Sequence, residues 1–179
     1  MENFIALPHG PAEARPGFGY VLEVKDSTRR TRIVPFEWSD EGSVVVELGH
    51  LYARFHTGGS TLLDSSAARA VTGVTQAYPG VVTYSGTDFA NGDWVYLVDV
   101  TGMTELNDRF FKVAAVDTVA NTFQLAGLDG GPINTLGYGA YTGGGLAAPI
   151  VEVATPFTEA DLFDIHHTQS AEVMTLVHA

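Results

Sequence analysis

Residues Val71 to Gly145 read VTGVTQAYPGVVTYSGTDFANGDWVYLVDVTGMTELNDRFFKVAAVDTVANTFQLAGLDGGPINTLGYGAYTGGG. Short runs of Val, Tyr, Phe, Trp and Thr alternate there with Gly, Asn and Asp, the pattern of short strands joined by tight turns. It predicts strands at about 71–76, 80–84, 94–100, 109–116 and 122–126. Five short strands with little helix favour a small, strongly twisted barrel or sandwich.

Two turns in this stretch have identifiable chemistry. Asn91–Asp93 reads NGD directly before a strand, and Gly92 is expected to take a positive φ there. Asn121 is expected to play the same part before Thr122. The glycine-rich residues 128–145 are predicted to form a loop that returns to another domain.

The sequence before this stretch predicts an arm and then three strands. Residues 1–18 hold several Pro and Gly residues, which favours an extended arm or a loop. Strands are predicted at Gly19–Asp26, Thr31–Trp38 and Ser43–His56. Pro35 places the second strand at an edge or a bulge, and Gly49 predicts a bend in the third.

The sequence after it predicts a strand, a short helix and a last strand. Pro149–Phe157 is the first strand. Thr158, with Asp161 three residues later, is a helix-start signal. Ala171–Ala179 is the final strand, and the abrupt ends of the sequence are expected of a piece cut from a longer polypeptide. The whole pattern predicts a mainly β protein with one short helix, in which a small β-barrel (70–145) is inserted into a discontinuous β-rich parent domain (1–69 and 146–179).

Composition and charge exclude several classes of function. The chain has no cysteine, which removes disulfides, thiolate metal sites and cysteine nucleophiles. No apolar run is long enough for a membrane helix. The net charge of −12 disfavours nucleic-acid binding through a broad patch, although an acidic lumen could let nucleic acid slide without sticking. Seven of the nine basic residues precede Ala70.

Candidate catalytic and metal sites are weak. Asp161, Asp164, His166 and His167 form D-x-x-D-x-H-H, but adjacent histidines point in different directions and no further ligand has matching spacing. Ser65 and Ser66 lack a nucleophile elbow. No pair of carboxylates is singled out for acid–base work. The sequence therefore predicts no catalytic residue, metal or cofactor.

Two candidate contact surfaces remain. Tyr138 and Tyr141 are flanked by glycines, and with Gly143 and Gly144 they could stack on sugars or pack against a partner. The basic cluster of Arg29, Arg30 and Arg32 fits a solvated turn or a contact between subunits.

One motif resembles a known family. Gly92–Val113 reads GDWVYLVDVTGMTELNDRFFKV, and Asn121–Gly127 reads NTFQLAG. Together they resemble a small β-barrel repeat of phage tail proteins, with a GD-x-V strand, a G-M-x-x-L-N-x-R turn and a T-F-x-L strand. The repeat is similar to the first catalytic cysteine half-domain of ubiquitin-activating enzymes, without their chemistry. The positions that fill the turn motif are Gly102, Met103, Leu106, Asn107 and Arg109.

The flanking segments at 2–39, 44–59 (VVVELGHLYARFHTGG) and 152–179 resemble the N-terminal region of large phage tail proteins of the nozzle or tail-tube type in short-tailed phages. The resemblance implies a non-enzymatic virion protein, made in the host cytoplasm, that assembles as a ring, by family a hexamer, around the DNA exit path. It implies contacts with adaptor and fibre proteins, no sequence-specific nucleic-acid binding and no membrane span. The alternative is a binding module whose barrel attaches to host-surface glycan or to a tail fibre. The third possible function is that of an enzyme such as a depolymerase. It is placed last because the sequence singles out no pair of residues for acid–base catalysis.

Overall fold

A computed structural model describes residues 4–6, 12–14, 19–37, 39, 42–87 and 89–178. Of these, 49% lie in strands and 4% in short helical turns, and six of the strands close into a barrel, so the predicted mainly β fold with a small barrel is confirmed. The strands are β1 Phe4–Ala6, β2 Ala12–Ala14, β3 Arg32–Glu37, β4 Ser43–Gly49, β5 Tyr52–Thr57, β6 Ser60–Thr61, β7 Arg69–Val74, β8 Val81–Tyr84, β9 Trp94–Thr101, β10 Arg109–Asp117, β11 Thr122–Ala126, β12 Gly143–Pro149, β13 Glu152–Ala154, β14 His166–Ser170 and β15 Val173–Val177.

The barrel closes in the order β10-β11-β8-β7-β12-β9, with antiparallel pairing throughout. Side chains alternate between its inside and its outside, as the pleat of a strand requires. Phe111, Phe123, Leu97 and Leu125, for example, point inward and are at most 1% exposed. The five strands predicted from the sequence are confirmed. Gly92, at φ +93°, and Asn121, at φ +52°, hold the turns as expected.

The sixth barrel strand, β12, was not predicted. It lies where the sequence predicted the end of a loop, since Gly143–Gly145 has no side chains to show the alternation of a strand. It pairs with β7 and β9 and so closes the barrel. Both β7 and β12 cross the proposed domain limits at 69/70 and 145/146, and the division into two domains stays a prediction.

A second sheet has the order β13-β5-β4-β3, with β6 paired to β5, so its strands come from both sides of the barrel in the sequence. Pro35 lies in β3, an edge strand, as predicted. The predicted single strand Ser43–His56 is wrong: the chain reverses at Leu51 (φ +66°), and β4 pairs back on β5. Apolar residues continue on both sides of the turn, and the bend expected at Gly49 is a complete reversal of the chain.

One face of this sheet is apolar and is covered by the C-terminal part of the chain. Leu162 and Ile165 pack there, and so, half-buried, do Met174 and Leu176 of β15. Hairpin β14–β15 pairs antiparallel in register from His166 with Val177 to Ser170 with Val173. The last predicted strand is therefore confirmed in its centre, at residues 173–177.

The predicted helix at Thr158 is wrong. The start signal is present, because Asp161 accepts hydrogen bonds from the N–H and the hydroxyl of Thr158, both at 2.7 Å. The chain then makes consecutive turns, and Arg32 Nη1 donates to the carbonyls of Leu162 and Ile165. The backbone bonds here span three residues, from Asp161 to Thr158 and from Asp164 to Asp161, which makes turns and not an α-helix. Short helical turns are found at Ser65–Ala67 and Thr104–Leu106.

Two other predicted strands differ from the structure. Gly19–Asp26 forms no strand and pairs with no described strand. The prediction failed because alternating apolar and polar residues also fit an extended segment that lies on a surface. Pro149–Phe157 splits into the end of β12 and the short β13. Of the predicted N-terminal arm, Phe4–Ala6 and Ala12–Ala14 form an antiparallel pair, and the other residues before Gly19, like Trp38, lie outside the described residues.

Candidate functional site

The turn motif at Gly102–Arg109 is part of the barrel's architecture. Met103 and Leu106 are fully buried in the barrel core. Asn107 pairs with both backbone groups of Val100: its Oδ1 accepts from the N–H at 2.8 Å, and its Nδ2 donates to the carbonyl at 2.9 Å. A Cβ at Gly102 would overlap the carbonyl oxygen of Ala140. These residue types are therefore required for folding.

Tyr138 and Tyr141 are half-buried and pack against the barrel core. The hydroxyl of Tyr138 accepts a hydrogen bond from Arg109 Nη1 at 3.4 Å. The hydroxyl of Tyr141 lies 3.0 Å from the carbonyls of Val71 and of Gly144, to which it donates. The hydroxyls of both predicted contact tyrosines thus form hydrogen bonds within the chain.

Gly143 and Gly144, predicted as part of the same contact surface, begin β12. At Gly144 a Cβ would lie 2.9 Å from the carbonyl oxygen of Asp99 on the neighbouring strand. The glycines permit the close approach of β12 to β9 that seals the barrel. The structure does bring these glycines close to Tyr141, although the tyrosine ring turns toward the core.

The three arginines of the predicted basic cluster have different surroundings. Arg29 forms an ion pair with Asp26 at 3.1 Å. The backbone N–H of Arg30 donates to Glu159, while its exposed guanidinium makes no ion pair with any described residue. Arg32 is held by the two carbonyls of the 158–165 turn. Arg32 thus serves the fold, and Arg29 and Arg30 line a cavity.

That cavity, here called the basic cavity, has a volume of about 480 Å³ and lies between the second sheet and the barrel. Its wall includes four of the nine Lys and Arg residues of the chain. Arg29 and Arg30 come from the segment before β3, and Lys112 comes from barrel strand β10. The lining residues are Lys25, Asp26, Arg29, Arg30, Thr31, His50, Tyr52 and Lys112.

Beside the basic cavity, the polar face of the second sheet carries a row of charges. Arg54 on β5 lies directly opposite Glu47 on β4 and Glu152 on β13. Its side chain is fully buried, and its Nε donates to Glu152 at 3.0 Å. Lys25 also pairs with Glu152. We call Glu47, Arg54 and Glu152 the charge ladder.

Aromatic rings hold the guanidinium of Arg54. Its Cζ lies 4.4 Å from the ring centre of Trp94, on barrel strand β9, and 5.2 Å from that of Tyr52. Its two terminal nitrogens are buried and have no hydrogen-bond partner among the described residues. Burying the guanidinium without these hydrogen bonds costs free energy, and the cation–π contacts offset part of that cost. The contact with Trp94 also joins the barrel to the sheet.

The carboxylate of Glu47 is the buried end of the charge ladder, and Arg54 lies in its middle. Tyr52 donates its hydroxyl to it at 2.6 Å, and His56 Nε2 lies 2.9 Å away. Burial would raise the pKa of Glu47, but the bonds from His56 and Tyr52 and the charge of Arg54 outweigh it and lower the pKa. Burial and the bond to Glu47 raise the pKa of Tyr52.

Sequence reasoning missed the charge ladder. Its signal was present: Glu47 interrupts the apolar run VVVEL, and Arg54 interrupts LYARF. Charged residues inside apolar strands are seldom buried unless they are paired. What the sequence could not show is that β4, β5 and β13 are neighbours, since β13 follows the whole barrel in the chain.

The residues considered for metal binding are not brought together. His166 and His167 are exposed on β14, and Asp161 bonds to Thr158. Within the described parts of the chain, no group of three or more His, Asp or Glu side chains could hold a metal ion. No helix among the described residues is long and apolar enough to cross a membrane.

Neither a scan against models of known protein families nor a search of the curated proteins finds a match to this chain.

Proposed function

We propose that this chain is a structural part of a phage tail, of the nozzle or tail-tube type, which assembles as a ring around the DNA exit path. Support comes from the turn motif, which carries the sequence resemblance to tail-protein barrels. Its core residues Met103 and Leu106 and its Asn107 clamp are all engaged in holding the barrel together. A motif used entirely for folding fits a structural part better than an enzyme.

The charge distribution supports the same role. A surface with net charge −12 does not hold DNA, so DNA can pass an acidic wall without being retained. We propose that an acidic face lines the channel. A ring whose lumen is instead lined by Arg29 and Arg30 would contradict this part of the proposal.

The location can be tested on intact particles. A gold-coupled antibody raised against the purified chain is applied to particles of the phage that encodes it. The particles are then negatively stained and imaged. We expect gold at the tail, below the capsid. Gold confined to the capsid, or no gold on particles whose protein content includes the chain, would contradict the proposal.

A second candidate is a binding module that attaches to host-surface glycan through Tyr138 and Tyr141, or to a tail fibre. Tyr141 lies beside β12, where its hydroxyl meets the carbonyl of Gly144, whereas Tyr138 lies next to Arg109 and Gln76. The half-buried rings and engaged hydroxyls of the two tyrosines leave less surface for stacking on a sugar than exposed rings would. A glycan array probed with the whole chain separates the two candidates: sugar binding that is lost in Tyr138→Ala would favour the binding module.

A further inference from the structure

The basic cavity gathers positive charge in a strongly acidic chain. Lys25, Arg29, Arg30 and Lys112 meet there, although the chain has only nine Lys and Arg residues against 21 Asp and Glu residues. Bringing four like charges together costs electrostatic free energy unless anions compensate them. Within the chain, compensation is only partial.

Two of the four cations are paired and two are not. Arg29 is paired with Asp26, and Lys25 with Glu152. Neither Arg30 nor Lys112 has an ion-pair partner in the part of the chain that the structure describes. Lys112 is half-buried, with its Nζ 5.1 Å from the ring centre of Trp94. The cavity thus presents two cations that form no ion pair with a described residue, although the carboxylate of Glu159 bonds to the backbone N–H of Arg30.

The arrangement is held from both sides. Trp94, which lies opposite Lys112 on β9, stacks on Arg54 of the charge ladder and fixes the barrel wall against the sheet. On the other wall, Arg30 is held by the bond from its backbone N–H to Glu159. These contacts hold the backbone of Arg30 and the ring beside Lys112 in place, while the guanidinium of Arg30 stays exposed.

We propose that the basic cavity receives carboxylate side chains of a second copy of this chain. This rests on the proposed assembly into rings, and it assigns one contact of that assembly. Copies of a chain with net charge −12 repel one another on average, so a local positive site favours association. An acidic partner surface is available, because no Lys or Arg follows Lys112.

Two carboxylates in that acidic part are free to take part. Asp164 and Glu172 are exposed, and their side chains make no hydrogen bond or ion pair with another described residue. The contact joins a basic surface of one copy to a different, acidic surface of the next. Such a head-to-tail contact forms a ring when its rotation closes. Arg32 takes no part in it, since the turn at 158–165 occupies it.

Sedimentation velocity of the whole chain tests the contact. We compare the wild type with Arg30→Gln/Lys112→Gln, in which the two unpaired cations become neutral. The charge-matched control is Val119→Glu/Ala120→Glu, which makes the same change of two units in an exposed turn of the barrel. Circular dichroism spectra show whether each variant keeps its fold.

We expect self-association of the cavity variant to be about tenfold weaker than that of the wild type, as for the loss of two ion pairs. The control should associate like the wild type. The difference between the wild type and the cavity variant should also shrink between about 0.01 M and about 1 M salt, because salt screens the contact.

Equal association of the wild type and the cavity variant would overturn the inference while leaving the ring proposal intact. A wild type that stays monomeric at every concentration would overturn both. Binding of a labelled single-stranded oligonucleotide that the cavity variant loses, with self-association unchanged, would overturn it in favour of a phosphate site.

Discussion

Gly102 follows β9 with a φ of +84°, and the carbonyl oxygen of Ala140 occupies the space that a Cβ would need. Gly92 has a similar φ of +93°, but nothing lies within 4 Å of the position of its Cβ. The two glycines share a backbone requirement and differ in crowding. They separate the cost of a left-handed backbone from the cost of steric overlap.

We therefore predict that Gly92→Ala lowers the free energy of unfolding by about 1 kcal/mol, for backbone strain alone. Gly102→Ala should lower it by about 3 kcal/mol or more, since the turn that carries Ala140 must also move. Urea unfolding followed by tryptophan fluorescence measures both. Equal losses in the two variants would show that Ala140 does not crowd Gly102.

At the scale of strands, the charge ladder joins three neighbours that are distant in the sequence. Arg54 on β5 bonds to Glu152 on β13, with a side chain that is 0% exposed, and it faces Glu47 on β4. Lys25 bonds to the same Glu152, but its side chain is 39% exposed. The two pairs share an acceptor and differ in burial, and burial decides how strongly charges interact.

A double-mutant cycle should show this difference. For Arg54→Met with Glu152→Gln, we expect a coupling free energy of about 1 to 3 kcal/mol, because Glu152→Gln leaves the fully buried guanidinium of Arg54 without the carboxylate to which it bonds. For Lys25→Met with Glu152→Gln, we expect less than about 1 kcal/mol, because solvent and salt screen the pair. Equal coupling in the two cycles would contradict the assigned role of burial.

For the molecule as a whole, lowered carboxylate pKa values make stability depend on pH. The pKa of Glu47 is lower in the folded chain than its ordinary value of 4.5. Its contribution to stability is complete above the unfolded value, and it is lost as the pH falls through the folded value. Hydrogen bonds from Thr28, Ser66 and Thr158 likewise lower the pKa values of Asp26, Asp64 and Asp161.

We predict that the wild-type unfolding free energy falls as the pH drops below about 4.5. Glu47→Gln should be less stable by about 1 to 3 kcal/mol at neutral pH, since Gln has no charge to pair with Arg54. The unfolding free energy of this variant should also fall less steeply as the pH drops, because Gln does not titrate. Denaturant unfolding at a series of pH values measures both effects.

The control for that series is Glu37→Gln, which removes an exposed carboxylate that pairs with no described side chain. It should follow the wild-type curve. A Glu47→Gln curve parallel to that of the wild type would show that Glu47 does not contribute to the acid sensitivity.

Local sequence patterns were enough to predict the class of the fold and most of the barrel. Alternation and turn residues are local properties, and they placed β8, β9, β10 and β11 and the edge position of Pro35. They failed where local information is missing or equivocal. The glycines of β12 show no alternation, and the start signal at Thr158 could not reveal that Arg32 would take the carbonyls of Leu162 and Ile165.

For the candidate site, the sequence singled out Arg29 and Arg30 as a basic cluster but could not add Lys112 to them. It pointed to Tyr138 and Tyr141 as surface aromatics, whereas their rings pack against the barrel core. Only the tertiary structure decided these points, and it alone brought Glu152 beside Arg54, 98 residues earlier in the chain. The physical reason is that charge pairing and burial depend on which strands are neighbours, and that follows from closure of the barrel rather than from any local pattern.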